Sequence, residues 1–386
     1  MSRFDPDQPR PRILQCVSHL ALGGAERVAV SLIESLQEQY DFSVYAVRGL
    51  ADGPVGLSLQ QQLQRLAVPV LLGPRVPMRF GGVLTGAMGL NQALRRFRPD
   101  LVHLHTEIPE ASYATLLSVS PGSKRTALVR TIHNSVIWKS WPALGRACDR
   151  KLAHARVAGV SQDAVNAFLV LRSTSGATPT ETPPALIYNG VRPLEPAPQL
   201  TARDSVIRMV YGGRLEPEKG TDLIPEILGR TRLPVGQQAR LMIYGSGRHA
   251  LALRWLERNA PAGWTVEVHE PIPNFSAQLR NFDIAVLPSR HEGLSLVAIE
   301  AVLAGIQVVA TDASGLREAL PSHHPWRARA GDPVSFAATL QMACANRDRW
   351  PAISESNRAF ALERFAPEKM VAAYDSLYRE SLEKTP

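Results

Sequence analysis

The chain repeats one pattern twice. Short apolar runs of strand type alternate with amphipathic helical patterns through residues 1–200, and the alternation resumes after the proline-rich stretch 192–204, RPLEPAPQLTARD. Strand alternating with helix builds a parallel sheet covered on both faces. In the first half, strands are expected at 12–17, 42–47, 68–72, 101–104, 127–131, 156–160 and 185–188. The clearest helices there lie at 25–36, 83–97, 111–119 and 162–171, and 173–184 reads as a loop. In the second half, strands are expected at 207–211, 239–244, 265–268, 284–288 and 307–310. Helices are expected there at 222–229, 249–259, 275–280, 294–303, 316–320, 333–345 and 352–365. A last helical stripe, Met370, Ala373, Tyr374 and Leu377, follows at 367–382. The expected fold class is α/β, with two Rossmann-like doubly wound domains facing each other across a cleft. In such sheets ligands bind beyond the carboxyl ends of the strands.

Composition agrees with two full cores. Of 386 residues 45% are hydrophobic and 20% charged, which excludes a disordered, collagen-like or small cystine-rich chain. Cys16, Cys148 and Cys344 are far apart and in no metal spacing, as expected for free thiols in a reducing compartment. The opening MSRFDPDQPRPR has no apolar signal core, and no run approaches the roughly 20 apolar residues of a membrane span. A cytoplasmic location is expected.

The net charge of +8 is uneven: residues 1–200 carry 21 Lys/Arg against 14 Asp/Glu, while 201–386 carry 22 against 21. This favours an anionic partner for the first half, such as the anionic inner face of the cytoplasmic membrane. Because 18 of the 21 cations are scattered Arg, base composition stays open as the cause. No basic stripe with interleaved aromatics occurs, so no nucleic-acid partner is expected.

The most specific segment is PSRHEGLSLVAIEAVLAG, Pro288 to Gly305. An apolar strand ends at Pro288, and a helix is expected to open near Leu294. Counting helical rise over the eight residues from Glu292 to Glu300 gives a separation of roughly 12 Å. That matches the span from sugar to ribose in a nucleotide sugar. Its diphosphate then falls on the amides of Gly293, Leu294, Ser295, Leu296 and Val297 at the positive helix end. Glu292 can accept from sugar hydroxyls and Glu300 from ribose hydroxyls. A capping carboxylate and a solvated face would give the same spacing, but Glu300 sits among Ala298, Ile299, Ala301 and Val302.

A second element is VYGGRLEPEKGTDL, Val210 to Leu223. Gly212 and Gly213 at a strand end allow a ligand close to the backbone. Arg214 offers a fork and Lys219 a point charge, a pair able to hold a departing diphosphate without a metal. Lys219 balancing Glu216 and Glu218 is the plainer alternative. Thr221 is placed to cap the following helix.

The first half gives smaller clues. Gly23 and Gly24 follow the first strand and can place helix amides on a phosphate or sugar. His103 and His105 share one face of a strand, His103 reading as a core residue. His133, in TIHN, follows a strand end on the side of the expected cleft. Trp138 and Trp141, near Lys139, Arg146 and Arg150, suit an interfacial membrane contact, a packed helix or sugar stacking.

Taken in order, GGAE (Gly23 to Glu26), RPDLVHLHT (Arg98 to Thr106), TIHN (Thr131 to Asn134), GVS (Gly159 to Ser161), IYNGV (Ile187 to Val191), GGRLEPEKG (Gly212 to Gly220), YGSG (Tyr244 to Gly247) and HEGLSLVAIEA (His291 to Ala301) resemble glycosyltransferase family 4. The resemblance covers nearly the whole chain and implies retaining enzymes of the GT-B fold. It implies catalytic roles for Glu292, His133, Arg214 and Lys219. It implies substrate binding by Gly23, Gly24, Gly213, Gly245, the run from Gly293 to Val297, and Glu300. It further implies a front-face displacement with no protein nucleophile, no metal and no cofactor. The partners implied are a nucleoside diphosphate sugar and a glycan or lipid-linked acceptor, in bacterial cell-surface polysaccharide or lipopolysaccharide synthesis. Asn134 stands where the family commonly has Asp, and Ser295 where it often has Gly. The last helix, 368–386, is implied to return to the first domain (1–200), leaving 201–367 as the nucleotide-sugar domain.

Four other readings make different demands, the first being a glycogen-like phosphorylase, which would require a lysine-bound pyridoxal cofactor. A metal-dependent nucleotide-sugar enzyme needs an Asp-x-Asp pair at a strand end, and the only such pair is Asp5-Pro6-Asp7 in the tail. A nucleotide-sugar epimerase would turn over without an acceptor. A non-catalytic GT-B subunit would bind nucleotide and release nothing.

Overall fold

Both expected sheets form, and every strand pair in them is parallel. The computed structural model describes residues 9–21, 23–51, 54–119, 126–178, 182–196 and 205–383. The Asp5-Pro6-Asp7 pair and linker residues 197–204 lie outside them. The chain divides into two units, Met1–Gly190 with Glu368–Pro386, and Val191–Pro367. The division falls before the expected 200/201 boundary. The reason is local: the Val191 amide donates to the Phe365 carbonyl (2.9 Å), tying the start of the linker to the second unit.

In the first unit the strands are β1 (Arg12–Val17), β2 (Asp41–Ala46), β3 (Val70–Leu72), β4 (Leu101–His105), β5 (Ala127–Ile132), β6 (Arg156–Gly159) and β7 (Ala185–Leu186). The helices between them are α1 (Gly24–Leu36), α2 (Pro54–Arg65), α3 (Gly82–Phe97), α4 (Glu107–Val119), α5 (Pro142–Lys151) and α6 (Gln162–Ser175). Strand order is β3-β2-β1-β4-β5-β6-β7, so the winding direction reverses between β1 and β4. Alternate residues of β1 serve the two faces. Ile13 and Val17 join one apolar cluster with Val28 and Leu32 of α1, whereas Leu14 and Cys16 join another with residues of α3, α4 and α5.

The second unit repeats the plan with β8 (Val206–Gly212), β9 (Gln238–Tyr244), β10 (Trp264–His269), β11 (Ile284–Leu287), β12 (Gln307–Thr311) and β13 (Arg327–Ala328). Its helices are α7 (Ile224–Arg230), α8 (Ala250–Leu256), α9 (Phe275–Gln278), α10 (Leu296–Leu303), α11 (Leu316–Ala319), α12 (Pro333–Ala345) and α13 (Trp350–Arg364). The order β10-β9-β8-β11-β12-β13 reverses between β8 and β11. Both units are therefore Rossmann-like. The last helix, α14 (Pro367–Glu383), buries Met370, Tyr374, Leu377 and Tyr378 in the first unit's cluster with Ile13, Ile33 and Tyr40.

Besides α2 and β13, which the sequence expectation did not include, two elements differ from it for a local reason. Residues 173–175 continue α6 instead of opening a loop, because the Ser175 hydroxyl donates to the buried Asp149 carboxylate (2.7 Å) and Gly176 closes the helix in the left-handed region. The unanticipated α5 starts on Pro142, a residue suited to a first helical turn, and packs Gly145 against the Trp138 ring.

Because α14 holds its unit through a narrow apolar stripe, Met370→Ala is expected to destabilise the first unit by about 3 kcal/mol. An unchanged urea midpoint for that unit would contradict the packing role given to the terminal helix.

Candidate active site

The sequence motifs of the second unit converge at its switch point. The loop after β8 carries Gly213, Arg214 and Lys219, and the loop after β11 carries Ser289 and Glu292. Gly220 brings them together. Its φ of 65° is left-handed, and a Cβ there would overlap the Pro288 carbonyl oxygen. With the backbones this close, Lys219 Nζ lies 2.5 Å from Glu292 Oε2. The Ser289 hydroxyl donates to Glu292 Oε1 (2.8 Å), and the Glu292 amide donates to the Ser314 carbonyl (3.0 Å). The loop after β12 completes the wall: Gly315, at φ 72°, packs with its Cα against the Gly293 carbonyl and the Glu292 side chain.

Two residues that the sequence reading passed over fasten these loops. Arg290 donates to both oxygens of Asp222 (2.6 and 2.8 Å) and to the Pro217 carbonyl, while its own amide donates to the Glu218 carbonyl (2.8 Å). The bidentate pair holds the Asp222 carboxyl below its ordinary range. Their signal was present as an Arg beside the HEG motif and an Asp just after the GGRLEPEKG motif. Neither residue type is distinctive without the fold.

Arg214 is not drawn into the Lys219–Glu292 contact. It pairs with Glu218 (2.8 Å) and stays 67% exposed. Its carbonyl accepts from the Tyr211 hydroxyl (2.8 Å), whose phenol burial and the nearby Glu292 hold well above the ordinary range. Gly213 adopts φ 152° at the end of β8, and its amide donates to the Tyr244 carbonyl (3.0 Å). Gly245 has a packing role, since a Cβ there would overlap the Gly213 carbonyl oxygen.

Helix α10 begins at Leu296, with extended Ser295 as its N-cap, and not near Leu294. Only four of the eight steps from Glu292 to Glu300 are helical, so α10 itself supplies about 6 Å of rise and the expected helical span of roughly 12 Å does not form. Gly293, Leu294 and Ser295 are buried and lie outside the helix, with Ser295 extended. Helix geometry leaves the amides of Leu296, Val297 and Ala298 without intrahelical acceptors. Glu300 is buried on α10.

In the first unit, Gly23 is the extended N-cap of α1, and Glu26 folds its carboxylate back against the Gly23 α-carbon. An anion of the chain's own thus already sits at that helix end, in the manner of a capping box. The site expected at Gly23 and Gly24 is in competition with it. His133 follows β5 and lies beside His105, its Nε2 3.0 Å from His105 Nδ1. It lines a small hollow with Thr106, Glu107, Asn134 and Trp138. Two of these hold backbone conformations that non-glycine residues rarely adopt, Thr106 at φ 74° and Trp138 at φ 54°. Burial raises the Glu107 carboxyl and lowers the His133 imidazole. His103 is a core residue, as its position in β4 implied. Trp138 is 7% exposed and belongs to the packing of α5, which removes it from an interfacial contact; Trp141 is 38% exposed.

Cys16, Cys148 and Cys344 are buried thiols, the last two pushed up to about 12 by burial. Among the described residues no group of three His, Cys, Asp or Glu can hold a metal ion, and no helix is long and apolar enough to cross a membrane.

Two parallel doubly wound units of this kind define the GT-B class. The family models agree: residues 22–193 match Glycosyltransferase Family 4 and residues 207–346 match Glycosyl transferases group 1, and the chain belongs to this family. A D-inositol 3-phosphate glycosyltransferase from Geodermatophilus obscurus is 28% identical over 260 residues, 60% of this chain and 58% of that relative's length. Anabaena HepE, solved with UDP and glucose, superposes with a TM-score of 0.75 at 17% identity over 96% of this chain and 100% of its own. WaaG, a glycosyltransferase involved in lipopolysaccharide biosynthesis, superposes with a TM-score of 0.70 at 14% identity over 94% and 99%.

The loop junction yields a stability test. Gly220→Ala is expected to destabilise the second unit by about 2 kcal/mol or more. Gly229→Ala, in α7 with open space around it, is expected to be neutral or to stabilise by about 0.5 kcal/mol. Equal melting temperatures for the two variants would refute the close approach at Pro288.

Proposed function

We propose that the protein transfers a glycosyl group from a nucleoside diphosphate sugar to a hydroxyl of a glycan or lipid-linked acceptor, with retention at the anomeric carbon. The Lys219–Glu292 contact at the β8/β11 switch point carries this reading. It sets a cation and an anion side by side at the strand ends where nucleotide ligands bind doubly wound sheets. Family membership supports it, as do the structural neighbours, of which HepE is described with UDP and glucose.

In this reading the diphosphate competes with Glu218 and Glu292 for Arg214 and Lys219. Lys219 leaves Glu292 and Arg214 leaves Glu218 as the phosphates arrive. The bond from the anomeric carbon to the phosphate oxygen breaks with its electron pair on the diphosphate. Lys219, Arg214 and the first-turn amides of α10 stabilise that charge. Glu292, released from its ion pair, accepts from a sugar hydroxyl and supports the oxocarbenium-like centre. Glu300 accepts from ribose hydroxyls. The acceptor oxygen attacks from the face that the diphosphate leaves, and its proton passes to the departing phosphate oxygen. His133 pairs with a substrate hydroxyl. Protein cations supply the positive charge, so turnover is expected to survive a chelator; a loss restored by magnesium would contradict this. The pathway supported by the likeness to WaaG is assembly of a cell-surface polysaccharide or lipopolysaccharide.

For contact with an anionic membrane surface on the acceptor side, α3 supports the reading better than the buried Trp138 does. Residues 53–99 contain six Arg and no Asp or Glu. Leu84 and Met88 of α3 are 55% and 66% exposed, and helical spacing puts them on one outer face with Gln92, Arg95 and Arg96. Met88, Arg96 and Leu72 line one hollow of about 700 Å³. Apolar side chains rimmed by arginines fit an anionic bilayer better than a nucleic acid.

Glu292→Gln and Lys219→Ala are each expected to lower kcat by about 10²- to 10³-fold while the fold persists. Wild-type turnover in either would remove its role. Retention is read from the anomeric configuration of the product; inversion would overturn the front-face course. Conversion of the donor into an epimeric nucleotide sugar without an acceptor would favour the epimerase reading. Vesicles containing phosphatidylglycerol are expected to bind the protein in a salt-sensitive way, and Leu84→Asp with Met88→Asp to abolish binding. Val170→Asp, on the exposed side of α6, is the control; equal loss in the control would reject the α3 surface.

A further inference from the structure

We infer that a buried hydrogen-bond chain, Tyr378–Gln15–His105–His133, fixes which ring nitrogen of His133 carries its proton, so that Gln15 and His105 are positioning residues for that histidine. The inference rests on the proposed substrate contact of His133, but its first readout does not.

The strand register assembles the chain. Gln15 of β1 stands opposite His103 of β4, and His105 opposite Thr131 of β5. Side chains of one parity therefore share one face, against α14, and Gln15, His103, His105 and Thr131 are all 0% exposed. Four polar side chains in one buried layer are tolerable only if fully paired.

The sense of the bonds follows from what each atom can do. Gln15 Nε2 donates to the Tyr378 hydroxyl (2.9 Å), which leaves Gln15 Oε1 facing His105 Nε2 (2.8 Å). A carbonyl oxygen only accepts, so His105 carries its proton on Nε2. Burial holds His105 well below its ordinary range, so the ring is neutral and its Nδ1 is a lone pair. His133 Nε2 meets that lone pair at 3.0 Å and must be the donor. His133 is then left with an unprotonated Nδ1.

A second branch sets the same phase. The Tyr378 hydroxyl accepts from Gln15 and gives its own proton to His103 Nδ1 (2.8 Å). His103 Nε2 then donates to Thr131 Oγ1 (2.7 Å), and Thr131 donates to the Tyr374 hydroxyl (3.0 Å). Reversing His133 requires rotating the Gln15 amide and shifting protons on all three imidazoles together. An imidazole whose tautomer is held by its far nitrogen presents one fixed function to a substrate. Here that function is a hydrogen-bond acceptor. His133 Nδ1 accepts a hydrogen bond from a sugar or acceptor hydroxyl and offers no proton to a phosphate or carboxylate oxygen.

The test is nitrogen-15 NMR of the full chain labelled at histidine, with His103, His105 and His133 assigned by substitution. His133 is expected to show a protonated Nε2 and a bare Nδ1. In Gln15→Leu, or in Tyr378→Phe, which keeps the ring packing and releases the Gln15 amide, His105 and His133 are expected to show mixed tautomers. Turnover should fall about tenfold in both, with the donor KM changed less than twofold. Tyr40→Phe is the control: it removes a hydroxyl that donates to Asp375 of the same helix (2.6 Å) and is expected to leave the histidine signals unchanged. A protonated Nδ1 on His133 in the unaltered protein, or a single unchanged tautomer in both variants, would overturn the inference. Mixed tautomers with unchanged turnover would overturn the positioning role. Failure of the functional reading looks different: the expected tautomer persists while His133→Ala turns over at the wild-type rate.

Discussion

The close approach of Gly220 to the Pro288 carbonyl is the constraint from which the candidate site follows. A parallel sheet delivers the ends of β8 and β11 side by side, but strand spacing alone leaves their loops to diverge. A left-handed glycine with no side chain lets the two backbones touch. Lys219 then meets Glu292, Arg290 reaches back to Asp222, and Gly315 closes the third side. The ion pair is a consequence of backbone contact and not its cause. That order explains why a half-buried pair, which adds little to stability by itself, holds one geometry.

The chain matches both candidate phosphate cations with carboxylates of its own. Such pairing avoids leaving concentrated positive charge unpaired while a partner is absent. It also makes binding an exchange of anions, Glu292 and Glu218 giving way to phosphate. Glu292 gains its place beside the sugar by the same exchange. The first unit solves a different problem. His103 and His105 are buried as neutral rings in a layer of hydroxyl and amide groups, and the cost of that burial is offset by pairing at both nitrogens of each ring.

Much of the fold was legible because strand and helix periods differ and the chain alternates them cleanly. The apolar stripe of α14 announced a buried helix, although where it packs came from the family resemblance. What escaped were elements without a strong period: α5, opened by Pro142 and packed through Gly145, and the last turn of α6, fixed by Ser175 on a buried carboxylate. The start of α10 was placed early because Leu294 fits the apolar pattern of the helix, while Ser295 is extended and the helix opens only at Leu296. At the site, Lys219 and Glu292 were legible as charges beside glycines. Arg290, Asp222 and Glu26 were not, since ordinary charged residues gain meaning only from the loops that face them. His105 was visible as a partner of His103 in the strand, but its contact with His133 depends on strand order, which one sequence does not give.

The claim at the centre of this account is that Lys219 exchanges Glu292 for a diphosphate. Calorimetric binding of a nucleoside diphosphate and of the matching nucleoside, to the unaltered protein and to Lys219→Ala, tests it directly. The account predicts about a tenfold or greater loss of diphosphate affinity in the variant, with nucleoside affinity unchanged. Equal diphosphate affinity in the two proteins would contradict it.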